Sequence, residues 1–330
     1  MKKKNIIIAV LGTGSIGLRH LKVLNSLNIE TIAVPARKEK VKELSKKGYK
    51  TATDMKEAKR MGAVGVIVCT NTSRHITDCE EALDLDYCVL CEKPLASSAA
   101  EAIKLKNKIR GNLFIGYNLR FDDGFKRLFK TAEELGEINF INCECRSYLP
   151  DWRKGRNYLE GYAAKPKEGG VLLDLSHEID YLNYFYEKPK AIIGTTKNWG
   201  ILKIAEEEFA SAILEYSQSV ANVTLDYISK NSFRKCSIGC EKGEIYYDFI
   251  MKKIQITKEG KNQVLKVKRE TDDLYKKEIG EFIGIILNKK KIFLCEYEEA
   301  YNVLITIQAW KRSSLTGNKQ NLNYFEKNGG

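Results

Sequence analysis

The sequence predicts an α/β chain whose first part is a doubly wound parallel sheet, and three observations predict it. Apolar, β-branched runs alternate with helical stretches across residues 5–118. These runs are continuous rather than alternating, as in strands buried on both faces. The first of them ends in the glycine-rich stretch GTGSIG (12–17).

The elements follow in order. NIIIAVL (5–11) reads as the first buried strand, and LRHLKVLNSL, after the glycines, has helical periodicity. Strand, GxGxxG and helix together form a dinucleotide-binding signature. Gly12 is expected to permit the tight turn, Gly14 to admit a pyrophosphate, and Gly17 to allow close helix–strand packing. The anion then rests on backbone N–H groups at the helix start, over Ser15 and Ile16. ETIAV (30–34) is the second strand. An NAD site carries an acid beyond that strand for the ribose 2′-hydroxyl, whereas here the chain reads Pro35-Ala36-Arg37-Lys38. Two cations suit a 2′-phosphate and favour NADP over NAD; the alternative is that they merely begin a solvated helix. GAVGVIVCT (62–70) is a third strand, followed by Asn71, Thr72 and His75. YCVLC (87–91) enters Glu92-Lys93-Pro94, SSAAEAIKLKNKIRG (97–111) reads as a helix capped by Ser97 or Ser98, and NLFIGYN (112–118) is the next strand.

Composition bounds the rest. A chain of 330 residues with 43% hydrophobic and 30% charged residues suggests two soluble globular domains. No apolar run reaches the ~20 residues of a membrane helix, and MKKKNIIIAVLGTG lacks a cleavage pattern. The nine scattered cysteines fit a reducing, cytoplasmic setting. Cys88 and Cys91 should point to opposite strand faces, and Cys143 and Cys145 have no accompanying ligand pair, so no metal site is expected. The net charge of +12 is dispersed among lysines without interleaved aromatics, which argues against nucleic acid.

One stretch outside the first sheet stands out, GGVLLDLSHEIDYL (169–182). The chain has three histidines, and His177 here lies between Asp174 and Asp180. On a helix, Leu172, Leu175, Ile179, Leu182 and Tyr186 would form an apolar stripe. Asp174, His177, Asp180, Tyr181 and Tyr184 would share the opposite side, facing either solvent or a cavity. A hydrogen-bonded structural histidine and an acid/base histidine both fit. Between the domains, YLPDWRKGRNYLEGYAAKPKEGG (148–170) reads as a long loop, as lids often are. Its Arg153 and Arg156, with Arg120, suit a bidentate clamp on a carboxylate or diphosphate; a loop packed by its own aromatics is the alternative.

Taken together, GTGSIG, TNTSRH, CEKP, GYNLRF, GGVLLDLSHEID, SIGCEKGEI and AWKRSSLTG resemble the Gfo/Idh/MocA dehydrogenases over nearly the whole chain. The YLPDWR segment resembles a subgroup associated with surface-glycan and nonulosonic-acid sugar pathways. The resemblance implies a Rossmann domain (1–118) followed by an α/β domain (119–330) on a large open, mostly antiparallel sheet through which two or four subunits pack. It implies hydride transfer between nicotinamide and a ring carbon of a sugar, sugar nucleotide or sugar acid. Lys93 matches the active-site lysine, Pro94 a companion proline whose bond is often cis, His177 the general acid/base, and Asp174 its carboxylate partner. Thr70, Asn71, His75, Glu92 and Lys93 are then cofactor contacts. Asn118, Arg120, Tyr148, Trp152, Arg153 and Arg156, with Lys93, Asp174 and His177, are substrate contacts.

The chain departs from the pattern in three places. Asp174 lies three residues before His177 rather than four, which leaves Asp180 as a rival partner. Glu168 replaces the first glycine of a usual triple, and Thr72 replaces a proline. His20 reads as structural. Rival readings are a dinucleotide-binding regulator without chemistry, and a redox-neutral enzyme that retains NAD.

Overall fold

The structure is a computed structural model that describes residues 6–37, 39–153, 155, 157–270 and 272–324. It divides into two compact units.

The first unit holds the parallel strands β1 (Ile7–Leu11), β2 (Glu30–Val34), β3 (Gly65–Val68), β4 (Cys88–Cys91) and β5 (Leu113–Ile115) in the order β5-β4-β3-β1-β2. Ile8, Ala9, Val10, Val66, Ile67 and Val68 are fully buried, as a run without alternation requires. The order reverses between β1 and β3, so their carboxyl ends, Leu11 and Val68, flank a switch point. The helix expected from Ser97 is instead one α-turn, Ala99–Ala102, continuing as the 3-10 helix Ile103–Lys108.

The first unit also extends beyond the expected boundary. It comprises Met1–Ala96, Glu101–Asn118 and Thr271–Ala300, while Ser97–Ala100 belongs to the second unit. Burial brings the later segment back: in the helix Asp273–Ile286, Ile279 and Phe282 are wholly buried. An added Cβ on Gly65 of β3 would meet Ile286 at 2.8 Å and Phe282 at 3.3 Å. Cys295–Glu296 then pairs antiparallel with β5. A hydrophobic helix far along the chain gives no sign of which sheet it covers.

The second unit is the large open sheet that the family resemblance implies. Its strands are β6 (Ile138–Tyr148), β7 (Ala191–Lys197), β8 (Phe209–Glu215), β9 (Val220–Asp226), β10 (Ile228–Cys240), β11 (Gly243–Asp248), β12 (Lys253–Lys258) and β13 (Lys261–Lys266). They run in the order β13-β12-β11-β10-β6-β9-β8-β7, closed at the last edge by Gln320–Asn321. Only β6 and β9 pair in parallel. The buried face carries Ile141, Ile192, Leu214 and Ala221. The helices Asp123–Glu134 and His177–Phe185 are joined by stacking of Phe125 on Tyr181 at 4.2 Å, and Phe125 meets Tyr247 of β11 edge-on. On the other face Phe140 pairs with Val220 and Ile213 with Ile193, and all four stay about 40% exposed. No helix among the described residues is long and apolar enough to cross a membrane.

Candidate functional site

The glycine turn has the geometry that dinucleotide chemistry needs. Gly12 sits at φ +87°, where a side chain is strained, and a Cβ would meet the Cys69 carbonyl at 2.7 Å. A Cβ on Gly17 would lie 1.8 Å from the Gly12 oxygen, so helix and turn touch backbone to backbone. Gly14 has nothing within 4 Å of its Cβ position. It is the N-cap of the helix Ser15–Ser26, which has neither a side-chain cap nor an acid in its first turn. The positive end of that helix therefore faces open space beside Gly14, a cradle that fits a pyrophosphate.

Other expected cofactor residues cluster at the same strand ends. Arg37 is exposed just beyond β2, and no acid stands between Val34 and Arg37. Lys38 lies outside the described residues. Asn71 is exposed ahead of the helix Thr72–Asp84, while the Thr70 hydroxyl donates to Asp78 at 2.6 Å. His75 departs from its expected role as a cofactor contact. It is 2% exposed, with Nδ1 2.8 Å from the Pro94 carbonyl and Nε2 3.1 Å from the Thr70 carbonyl. Burial pushes its pKa down, although both carbonyls favour the protonated ring. His75 thus braces the turn after β4, where the Lys93–Pro94 bond is cis.

Glu92 is held in the same way. His20 Nε2 lies 2.7 Å from Glu92 Oε1, with the imidazole fully buried and Tyr275 edge-on at 5.3 Å. Burial alone would push the Glu92 carboxyl up, but the His20 hydrogen bond and charge, with Lys93 beside it, hold it below its ordinary value. Two of the three histidines therefore anchor the residues on either side of Lys93. His20 is structural, as expected, and what it supports is the lysine segment.

In the second unit the stretch 169–182 is not one helix. A single turn, Val171–Asp174, ends at Leu175, and a second helix, His177–Phe185, begins after Ser176. Leu172, Ile179 and Leu182 are buried as predicted, but so are Asp174, Asp180 and Tyr181, and His177 is only 9% exposed. The face opposite the apolar stripe is interior, because distant residues meet its polar groups. The Tyr227 hydroxyl contacts Asp174 Oδ2 and lies 2.9 Å from the Gly170 carbonyl. Arg234 Nε lies 2.8 Å from Glu178.

Asp180 is claimed by Arg120. The guanidinium donates through Nε at 3.1 and 3.0 Å and through Nη2 at 2.6 Å, and it lies 4.2 Å over the Tyr184 ring. Arg120 is 1% exposed. Its expected role in a substrate clamp is therefore corrected: it neutralises a buried carboxylate. Between the two rival carboxylates, Asp180 is committed to Arg120, and Asp174 is held by Tyr227 three residues before His177. Asn118 opens the 3-10 helix Asn118–Phe121.

The loop after β6 folds around a cavity of about 470 Å³, lined by Trp152, Arg153, Tyr158, Glu160 and Tyr162 among others. Trp152 packs edge-on against Tyr227 at 5.3 Å, so the cavity wall adjoins the ring that holds Asp174. Arg153 is exposed above the Tyr162 ring, and Tyr148 lies under Lys230. Arg156 lies outside the described residues. Tyr227 was not legible in advance, since nothing in its spacing ties a residue between β9 and β10 to Asp174.

Comparison with known proteins gives two family matches in chain order. A family model described as an oxidoreductase family with an NAD-binding Rossmann fold matches residues 6–112, and a GFO/IDH/MocA C-terminal domain model matches residues 127–246. The chain is 28% identical over 194 residues to the myo-inositol 2-dehydrogenase of Thermotoga maritima, covering 54% of each chain. It spans about half the length of the curated relatives it matches. Among solved structures, a levoglucosan dehydrogenase in complex with NADH superimposes with a TM-score of 0.84 at 14% identity, covering 97% of this chain and 99% of that one. An oxidoreductase from Thermotoga maritima gives 0.81 at 22% identity, covering 97% and 99%. These two likenesses speak to the fold. With both of its domains matched in order, the chain belongs to the Gfo/Idh/MocA oxidoreductase family.

Proposed function

We propose that this chain is an NAD(P)-dependent oxidoreductase acting on a ring CH–OH of a sugar, sugar acid or sugar nucleotide. The observation that carries the reading is the glycine turn: an uncapped helix N-terminus behind a residue whose Cβ position is empty. Bound there, the nicotinamide cofactor would take the hydride from the carbinol carbon. Lys93 donates a hydrogen bond to the reacting oxygen and stabilises the alkoxide as its charge develops. His177 takes the hydroxyl proton, so that the carbon–oxygen double bond forms as the C–H and O–H bonds break. Asp174, held by Tyr227, supports the imidazolium. In the reductive direction the same imidazole returns the proton.

Arg37 beyond β2, with no acid before it, supports NADP over NAD. The narrower placement in surface-glycan biosynthesis rests on the YLPDWR resemblance alone. The exposed apolar stripe Phe140, Val220, Ile213 and Ile193 supports a homodimer or homotetramer packed through the open sheet. The nine unbridged cysteines support a cytoplasmic setting. The test is a panel of cyclitols, sugars, sugar acids and sugar nucleotides offered with NAD⁺ and NADP⁺ and read by nicotinamide absorbance. One substrate giving stoichiometric cofactor turnover is expected. Product formation without net cofactor reduction, or binding without chemistry, would replace this reading with one of the two rivals.

A further inference from the structure

We propose that the cavity lined by the loop after β6 binds a second saccharide ring, so that the substrate is a glycoside larger than a monosaccharide. This rests on the oxidoreductase reading above for which ring reacts, but not for the binding itself.

The cavity measures about 470 Å³, within the ~300–1,000 Å³ of small-molecule sites. Its aromatic rings are fixed by their own polar edges. Trp152 donates from Nε1 to the Ser147 hydroxyl at 3.0 Å yet stays 38% exposed, and the Tyr158 hydroxyl donates to the Leu202 carbonyl at 2.9 Å. With N–H and O–H engaged by the protein, what these rings offer a ligand is π surface. The C–H face of a pyranose carries the partial positive charge that such a surface attracts.

Polar groups in the lining serve the ring's hydroxyls. Among the described lining residues the charged groups are Arg153 and Glu160, one of each sign. The donor fork of Arg153 and the acceptor pair of Glu160 suit vicinal hydroxyls, which both accept and donate. Position completes the argument. Trp152 packs against Tyr227, whose hydroxyl reaches Asp174, so the cavity lies one ring away from the carboxylate assigned to the reacting carbinol. A substrate spanning both places has its reacting ring at Asp174 and its neighbour against Trp152.

The experiment is calorimetric titration of the whole 330-residue chain, loaded with NADH or NADPH, with cellobiose, maltose and lactose, with glucose and galactose, and with UDP-glucose. At least one disaccharide is expected to bind roughly tenfold tighter than its component monosaccharides, with the gain abolished in Trp152→Ala and largely restored in Trp152→Phe. Cofactor affinity of each variant serves as the folding control. The proposal is overturned if no disaccharide gains, if the gain survives Trp152→Ala, or if UDP-glucose alone gains through Trp152. Disaccharide binding through Trp152, with no sugar of the panel turned over in the presence of NAD⁺ or NADP⁺, would sink the oxidoreductase reading and leave this one standing. Monosaccharide turnover with no disaccharide gain would do the reverse.

Discussion

The glycine turn of the first unit and the histidine segment of the second make opposite demands on sequence. At 12–17 every requirement is local: a positive φ at Gly12, a backbone contact between Gly17 and Gly12, and an open approach at Gly14. At 171–185 each acid is met by a residue far away in the chain: Asp174 by Tyr227, Glu178 by Arg234, Asp180 by Arg120. A site for a ligand shared by many enzymes can be built from a short motif and its backbone. A segment that buries three carboxylates needs partners that only the tertiary fold supplies.

The strongest way to sharpen that contrast is His177→Ala. Turnover should fall by about 10²–10⁴, the usual contribution of a general base, while cofactor affinity stays within about twofold. Equal loss of both would make the imidazole structural. Next in size is Arg120→Ala. It leaves Asp180 buried and uncompensated, so thermal or urea unfolding should show a loss of about 3–5 kcal/mol. A raised KM at unchanged stability would restore Arg120 to a substrate clamp.

The glycines separate packing from binding within the first unit. Gly17→Ala forces a Cβ onto the Gly12 oxygen and should cost about 1–3 kcal/mol of stability. Gly14→Ala meets no protein atom within 4 Å, so its stability should stay within about 0.5 kcal/mol while cofactor affinity drops, measured by nicotinamide fluorescence. Retained affinity in Gly14→Ala would mean that the pyrophosphate does not pass over this residue.

The smallest effect is acid sensitivity in the brace around Lys93. His75 and Glu92 both have pKa values below their ordinary ones, so in each case the unfolded chain takes up protons more readily as pH falls. The stability from His75 is present above its ordinary value of 6.5 and is lost as pH falls through its lowered folded value. Glu92 follows the same sign below the usual carboxylate range. Melting temperature should decline from about pH 7.5 to about pH 5.5, and His75→Gln should flatten that decline.

The same contrast explains what was legible. All five strands of the parallel sheet were readable, because burial on both faces leaves a continuous apolar run. The return of Asp273–Ile286 to the first unit was not, since an amphipathic helix does not name its partner. In the stretch 169–182 the apolar stripe was legible, while the opposite side stayed open between solvent and a cavity and is interior. Periodicity separates apolar from polar positions but cannot distinguish solvent from a buried network of arginine and tyrosine. Two of the three histidines were beyond such reading in their partners: His20 and His75 hold the lysine segment through Glu92 and the Pro94 carbonyl, contacts that span 72 and 19 residues of chain.

We propose that the Lys93 ammonium and the His177 imidazole serve one carbinol. A double-mutant cycle on hydride transfer, comparing Lys93→Ala, His177→Ala and the pair, tests it most directly. Groups acting as a unit give a double variant within about tenfold of the worse single one, with cofactor affinity preserved in all three. Losses that multiply in full would show two independent roles and contradict the claim.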